Sequence, residues 1–192
     1  MEYLLERMVV AGADSIRVAV RPEKTDVSAF ASSFGAVVVR GHPRSVSESL
    51  LLAASGLDDD DIVLFGFPDT IWTPVDGFVP LTEMVNKGEP LALGVFESPY
   101  PERSDVAILG SDGRIVRIDV KPDRADSELV WACGVTRLAA IRELLHESEP
   151  GRCFSQWAKT SSIAAARLGR VLDIGTPAGL EAAERDRMFG NM

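Results

Sequence analysis

Phe65-Gly66-Phe67-Pro68-Asp69 and, far downstream, Val171-Leu172-Asp173-Ile174-Gly175-Thr176 each set one aspartate directly behind an apolar run. A buried strand that ends in a carboxylate aims it at the rim of a sheet, where the ligands of open α/β sheets sit. Two such carboxylates converging on one divalent cation and its phosphates would support metal-assisted phosphate chemistry. The two segments therefore predict an α/β fold and nominate Asp69 and Asp173 as a metal pair.

The composition agrees with a globular chain. With 192 residues, 46% of them apolar and 26% charged, residues 1–192 are expected to form one domain with a substantial core. A net charge of -9, with Lys and Arg scattered rather than clustered, excludes a phosphate-backbone grip, so no nucleic-acid partner is expected. Part of the acidic excess is the run Asp58 to Asp61, read as a solvated loop because no ligand spacing follows it. Cys133 and Cys153 are too few for a disulfide framework and lack metal-ligand spacing. No stretch approaches the ~20 apolar residues of a membrane span, and Met1-Glu2-Tyr3-Leu4-Leu5-Glu6-Arg7 lacks the pattern of a signal peptide. The expectation is a soluble, cytoplasmic protein with no membrane partner.

Outward from the two aspartates, the pattern alternates between helix and strand. Leu4, Leu5, Met8 and Val9 make one helical stripe, and Ile16 to Val20 a short β-branched strand. A helix is expected near Asp26 to Ser33 and a strand at Val37-Val38-Val39. Ser45 with Glu48 three residues on forms a capping-box pattern that opens a helix to Ala54. Ile62 to Phe67 reads as a buried parallel strand, Pro80 to Lys87 as a helix and Leu91 to Phe96 as the next strand. Val106 to Leu109 and Ile115 to Val120, joined through Ser111-Asp112-Gly113, predict a hairpin. Leu129 to Val135 reads as a strand, Leu138 to Leu145 as a helix, Phe154 to Leu168 as another helix. A brief strand at 171–173 and a closing helix from Pro177 to Arg187 complete the chain. The fold class is three-layer α/β/α with a mixed, mostly parallel sheet.

This order of segments resembles the sugar-phosphate nucleotidyltransferases of the glucose-1-phosphate thymidylyltransferase type. The resemblance runs through Ala11-Gly12-Ala13-Asp14-Ser15-Ile16, Phe65 to Asp69, Pro101-Glu102-Arg103, Asp112-Gly113, Val120-Lys121-Pro122, Cys133-Gly134 and Leu172-Asp173-Ile174-Gly175-Thr176. It implies that a sugar-1-phosphate attacks the α-phosphorus of a nucleoside triphosphate, yielding a nucleotide sugar and pyrophosphate. On that resemblance Asp69 and Asp173 hold Mg²⁺, and Lys121, a compact point charge, takes the sugar phosphate. Gly134 leaves room for the sugar, and His42, in the loop His42-Pro43-Arg44, lies on the nucleobase side. Val120 occupies a sugar-contacting position at which the family commonly has a glutamate. The family also implies self-association into a homo-oligomer.

Three positions and one absence depart from that pattern. The Gly-rich loop Gly-x-Gly-Thr-Arg-Leu and the strand before it, whose backbone amides cradle the triphosphate in the family, have no counterpart here. Val120 replaces a glutamate, while Asp105 and Ser47 stand where glycines are usual. Three expectations follow. One is an enzyme whose front, including the first strand of the sheet, precedes an internal Met1. The second is a degenerate, non-catalytic homologue that binds a nucleotide, a sugar phosphate or a protein partner. The third is a generic α/β domain whose exposed sheet edge recruits a second chain. The 192 residues alone are expected to be inactive or very weak in nucleotidyl transfer.

Overall fold

A computed structural model of the chain describes residues 1–185. The elements run α1 (Glu2–Val10), β1 (Arg17–Val20), α2 (Thr25–Ser33), β2 (Val37–Arg40), α3 (Val46–Ala53), β3 (Ile62–Gly66), β4 (Thr70–Trp72), α4 (Phe78–Asn86) and β5 (Leu91–Glu97). A 3₁₀ turn (Pro101–Arg103) leads into β6 (Asp105–Leu109), β7 (Ile115–Val120), β8 (Leu129–Arg137), α5 (Leu138–Leu144), α6 (Pro150–Ala158), β9 (Ala164–Asp173) and α7 (Pro177–Arg185). Residues 186 and 187 of the expected last helix lie outside the described residues.

The α/β class is present, with a central mixed sheet between helices. Leu4 of α1 and Phe78, Leu81 and Val85 of α4 pack with Ala92, Phe96, Val135 and Val171 on one face. On the other, Leu50 and Leu51 of α3, Leu138 and Ile141 of α5 and Phe154 of α6 pack with Phe65, Leu93, Val95 and Trp131. The seven-stranded sheet has the order β4-β9-β5-β8-β6-β7, with β3 also on β8, and β1 and β2 form a separate parallel pair.

The sheet is mostly antiparallel rather than mostly parallel. Within the larger sheet only β5 and β9 pair in parallel; β3 and β5 both run opposite to β8. Parallel neighbours need a crossover, whereas between β5 and β8 the chain turns back through the β6–β7 hairpin. For the same reason Ile62 to Gly66 is not the buried parallel strand its apolar run suggested. It pairs on one side with β8, and four of its five residues stay half-buried.

Local signals operate where they are strongest. Ser45 Oγ accepts from the Glu48 amide at 3.1 Å, and the Glu48 carboxylate reaches back to the Arg44 amide at 2.7 Å, one residue before the expected return. Gly113, at φ +79°, supplies the left-handed corner of the hairpin. The helix expected from Phe154 to Leu168 is instead two elements. It stops at Ala158, and after the turn at Lys159 to Ser162 the alanines enter β9. Ala164 and Ala166 pack beneath Trp72 and Phe96 in the core, so the sheet selects small side chains that would otherwise favour helix.

A bulge on β8 redirects the residues that follow. Gly94 pairs with Cys133 but Val95 with Trp131, leaving Ala132 as the extra residue. Trp131 and Cys133, two apart, consequently point to opposite faces. Among the described residues no helix is long and apolar enough to cross a membrane.

Candidate functional site

The carboxyl ends of β3, β5, β7 and β9 and the amino ends of β6 and β8 meet at one end of the sheet. A cleft of about 570 Å³ opens there. Asp69 leaves β3 through Phe67-Pro68, and Asp173 is the last residue of β9. Their union depends on β4, a three-residue strand the sequence reading missed. It pairs antiparallel with β9, opposing Thr70 to Asp173, Ile71 to Leu172 and Trp72 to Val171. Ile174 N then donates to Asp69 O at 2.7 Å, closing the end of the ladder.

The two carboxylates converge on Gly175. A Cβ built there would lie 3.0 Å from Asp69 Oδ2 and 3.1 Å from Asp173 Oδ1. Gly175 N also donates to Asp173 Oδ1 at 2.7 Å, fixing that side chain's direction. The following helix is locked in place by Thr176 Oγ1, which accepts from Gly179 N at 3.1 Å, and by Gly179 itself, whose Cβ would collide with Asp173 O at 2.0 Å.

Behind this corner, buried Arg7 ties α1 to β4. Its guanidinium donates to Trp72 O through both Nε and Nη2, and to Tyr3 O at 2.9 Å, and it stacks over the Trp72 ring at 5.3 Å. Burial pulls its pKa below the usual arginine range.

Lys121 stands across the cleft, directly after β7, in a left-handed conformation at φ +42°. That conformation costs a non-glycine residue free energy and turns the side chain toward the cleft's rim. Its Nζ lies 3.7 Å from Glu149 Oε1, at the start of α6. Beside them Asp105, opposite Val120 in the hairpin, packs against the first turn of α6, where a Cβ on Gly151 would meet Asp105 Oδ2 at 1.8 Å. Burial raises the Asp105 carboxyl above the usual range, Lys121 pulls it back and Glu149 adds to the rise. Asp105 Oδ1 and the Trp131 indole Nε1 are both buried and complete no hydrogen bond. The charged lining is acidic in excess: Asp69, Asp105, Glu149 and Asp173 against Arg103 and Lys121.

The structure thus brings Asp69, Asp173 and Lys121 to one cleft and leaves three nominated residues elsewhere. Gly134 faces the core, where a Cβ would meet Phe65 Cζ at 2.4 Å and Leu93 Cδ2 at 2.8 Å; the ring of Phe65, not a ligand, requires the missing side chain. Val120 lies in the ladder with Asp105, and His42 is exposed in the loop before α3; neither lines the cleft. From that loop region, Val46 is what reaches it. Glu149 and Arg103 were not anticipated as site residues. Glu149 lies far from Lys121 in sequence and carries no local signal, so only the packing of α6 on β7 discloses it. Among the described residues, no three His, Cys, Asp or Glu side chains cluster as a metal-binding group, which leaves the Asp69–Asp173 pair as a two-carboxylate corner.

No protein-family model matches this sequence, and no curated protein matches it. Solved structures do. A protein from Bacillus anthracis assigned as a glucose-1-phosphate thymidylyltransferase, in complex with sucrose, superposes with a TM-score of 0.77 at 17% identity, over 94% of this chain and 79% of that one. A UDP-glucose pyrophosphorylase from Acinetobacter baumanii gives 0.74 at 16% identity, over 99% and 84%. A UDP-glucose pyrophosphorylase complexed with UDP-glucose gives 0.71 at 15% identity, over 93% and 82%. At these identities the likeness is one of fold.

Proposed function

We propose that this chain is a sugar-phosphate nucleotidyltransferase-type protein whose cleft takes a sugar-1-phosphate or nucleotide sugar, with a divalent cation held by Asp69 and Asp173. The observation that carries this reading is the convergence of two carboxylates on side-chain-free Gly175, at the strand ends of a fold shared with sugar-nucleotide enzymes.

The donor set suits Mg²⁺, which accepts one or two carboxylates and leaves its other positions to phosphate oxygens and water. Bound there, Mg²⁺ would neutralise phosphate charge and orient an in-line displacement at phosphorus. In support, the β4–β9 ladder holds the backbones of both residues together and the Gly175 amide fixes the direction of the Asp173 carboxylate. Lys121 would exchange its contact with Glu149 for the sugar phosphate, trading one anion for another.

That exchange also favours a second reading, binding without turnover. Phosphate entering beside Lys121 meets Glu149 and Asp105, so part of the lysine's attraction is already spent on carboxylates. The homologue would then hold a nucleotide sugar as a ligand rather than as a product.

Titration calorimetry with UDP-glucose and with sugar-1-phosphate, with and without Mg²⁺, tests the shared core of both readings. Saturable Mg²⁺-dependent heat, lost in Asp69→Asn and in Asp173→Asn, is the expected result; no heat with either compound overturns both. Pyrophosphate release then separates them: none above background is expected from these 192 residues, and turnover lost in Asp69→Asn would establish the enzyme.

A further inference from the structure

Around Lys121 the cleft holds more carboxylate than cation. Lys121 Nζ lies 3.7 Å from Glu149 Oε1, and the charges that act on Asp105 are the same two, Lys121 attracting and Glu149 repelling. Arg103, the other cation of the lining among the described residues, is held over the Tyr100 ring at 4.8 Å. Lys121 therefore serves two carboxyl groups. Asp105 is not free to turn out to water, because Oδ2 packs where a Gly151 side chain would stand and Oδ1 is buried.

Two polar atoms in this corner lack partners. Among the described residues, Asp105 Oδ1 accepts no hydrogen bond, and Trp131, only 6% exposed, leaves its indole Nε1 without an acceptor. The indole N–H faces the Asp105 carboxyl closely enough to favour its charged form, yet completes no hydrogen bond with it. Both residues line the cleft. Buried polar groups without partners are rare in folded proteins. An acceptor and a donor side by side on a cleft wall call for a ligand that carries both a donor and an oxygen acceptor.

A bound phosphate sharpens the imbalance. When phosphate takes Lys121, as in the nucleotidyltransferase-type reading on which this inference rests, Glu149 and Asp105 face each other without that cation. A neutral sugar supplies no replacement. An ammonium group on the sugar does, with three donors for charge-assisted hydrogen bonds. Its place on the ring follows from distance. Glu149 stands 3.7 Å from the lysine that would hold the C1 phosphate, so an amine that meets Glu149 sits on the neighbouring carbon, C2.

We infer that the cleft selects a 2-amino-2-deoxy sugar 1-phosphate with a free, cationic amine, the ammonium lying between Glu149 and Asp105 and the adjacent C3 hydroxyl accepting from Trp131 Nε1. Glucose-1-phosphate would leave both carboxylates unpaired, and N-acetylation would remove the charge and add bulk, so the same groups that attract the amine reject its analogues.

Titration calorimetry at neutral pH with Mg²⁺ tests this on the full chain with glucosamine-1-phosphate, glucose-1-phosphate and N-acetylglucosamine-1-phosphate. Glucosamine-1-phosphate should bind at least about tenfold more tightly than either of the others, the scale of one charge-assisted pair. Glu149 is partly exposed and its side chain caps no amide of α6, so Glu149→Gln keeps the fold. That variant should abolish the preference without weakening glucose-1-phosphate, since Lys121 loses a competitor and no ligand contact. A smaller preference in the parent, a preference that survives Glu149→Gln, or a variant that weakens all three sugars alike overturns the inference and leaves the underlying reading standing. If none of the three binds, the inference falls, and the UDP-glucose titration decides whether the underlying reading falls with it.

Discussion

Replacing Gly134 by alanine separates the packing role seen in the structure from the sugar-facing role that the sequence resemblance implies. The added Cβ would sit 2.4 Å from Phe65 Cζ, 2.8 Å from Phe65 Cε1 and 2.8 Å from Leu93 Cδ2. Phe65 has little room to yield, because its ring meets Trp131 edge-on at 6.4 Å and Phe154 at 6.1 Å. Overpacking of this kind costs about 1–3 kcal/mol. Loss of glycine's freedom in the unfolded chain offsets about 0.4–1 kcal/mol of that. A net destabilisation of about 1–2 kcal/mol corresponds to about 2–8 °C in a chain of this size. Urea unfolding followed by tryptophan fluorescence should show a lower midpoint at unchanged slope. Phe65→Leu should relieve part of the penalty, giving a favourable coupling in the double-mutant cycle. Unchanged stability together with weakened nucleotide-sugar binding would refute the reasoning and return Gly134 to the ligand.

Four further outcomes follow from the geometry. Arg7→Met removes charged hydrogen bonds to two carbonyls and should lower stability by about 1.5–3 kcal/mol in urea unfolding. Asp105, held above the ordinary carboxylate range chiefly by burial, binds a proton more readily folded than unfolded; its favourable contribution lies at low pH and is lost as pH rises through the raised value. Asp105→Asn should therefore be more stable than the parent at neutral pH, with the difference closing toward about pH 4, as read from stability against pH. Glu89 is the opposite case: two hydrogen bonds from Arg114, at 2.8 and 2.7 Å, hold its carboxyl below the usual range, so its contribution is present above about pH 4.3 and lost as pH falls through the lowered value. Glu89→Gln should flatten that acid limb by less than about 1 kcal/mol. Burial pushes the Cys133 thiol up, so iodoacetamide should label it only after unfolding, as mass spectrometry would show.

Much of the local organisation was legible because it depends on neighbours in sequence. The Ser45 cap, the Gly113 corner, the hairpin and most strand positions are set within a few residues. The helix placed over Phe154 to Leu168 was misread because three consecutive alanines carry helix preference, while the slot beside β5 that selects them is contributed by a distant segment. β4 escaped notice because Thr70-Ile71-Trp72 is too short to show a period. In the site, Asp69 and Asp173 were legible as residues behind apolar strands, and Lys121 was nominated only through the family resemblance. Glu149 beside Lys121 was not, and Gly134 was assigned to a ligand when its neighbour is an aromatic ring.

By itself the sequence determined that this is an α/β chain with carboxylates behind apolar strands, since residue type and period are properties of each segment alone. Only the tertiary structure decided which strands became neighbours. Pairing β3 and β5 against β8 made the sheet mostly antiparallel, and the bulge at Ala132 turned Trp131 and Cys133 to opposite faces. Pairing β4 against β9 put Asp69 and Asp173 on either side of Gly175. Strand pairing is a long-range choice, made by hydrogen-bond register and by side chains that close-pack across the sheet, and no window along the chain contains both partners.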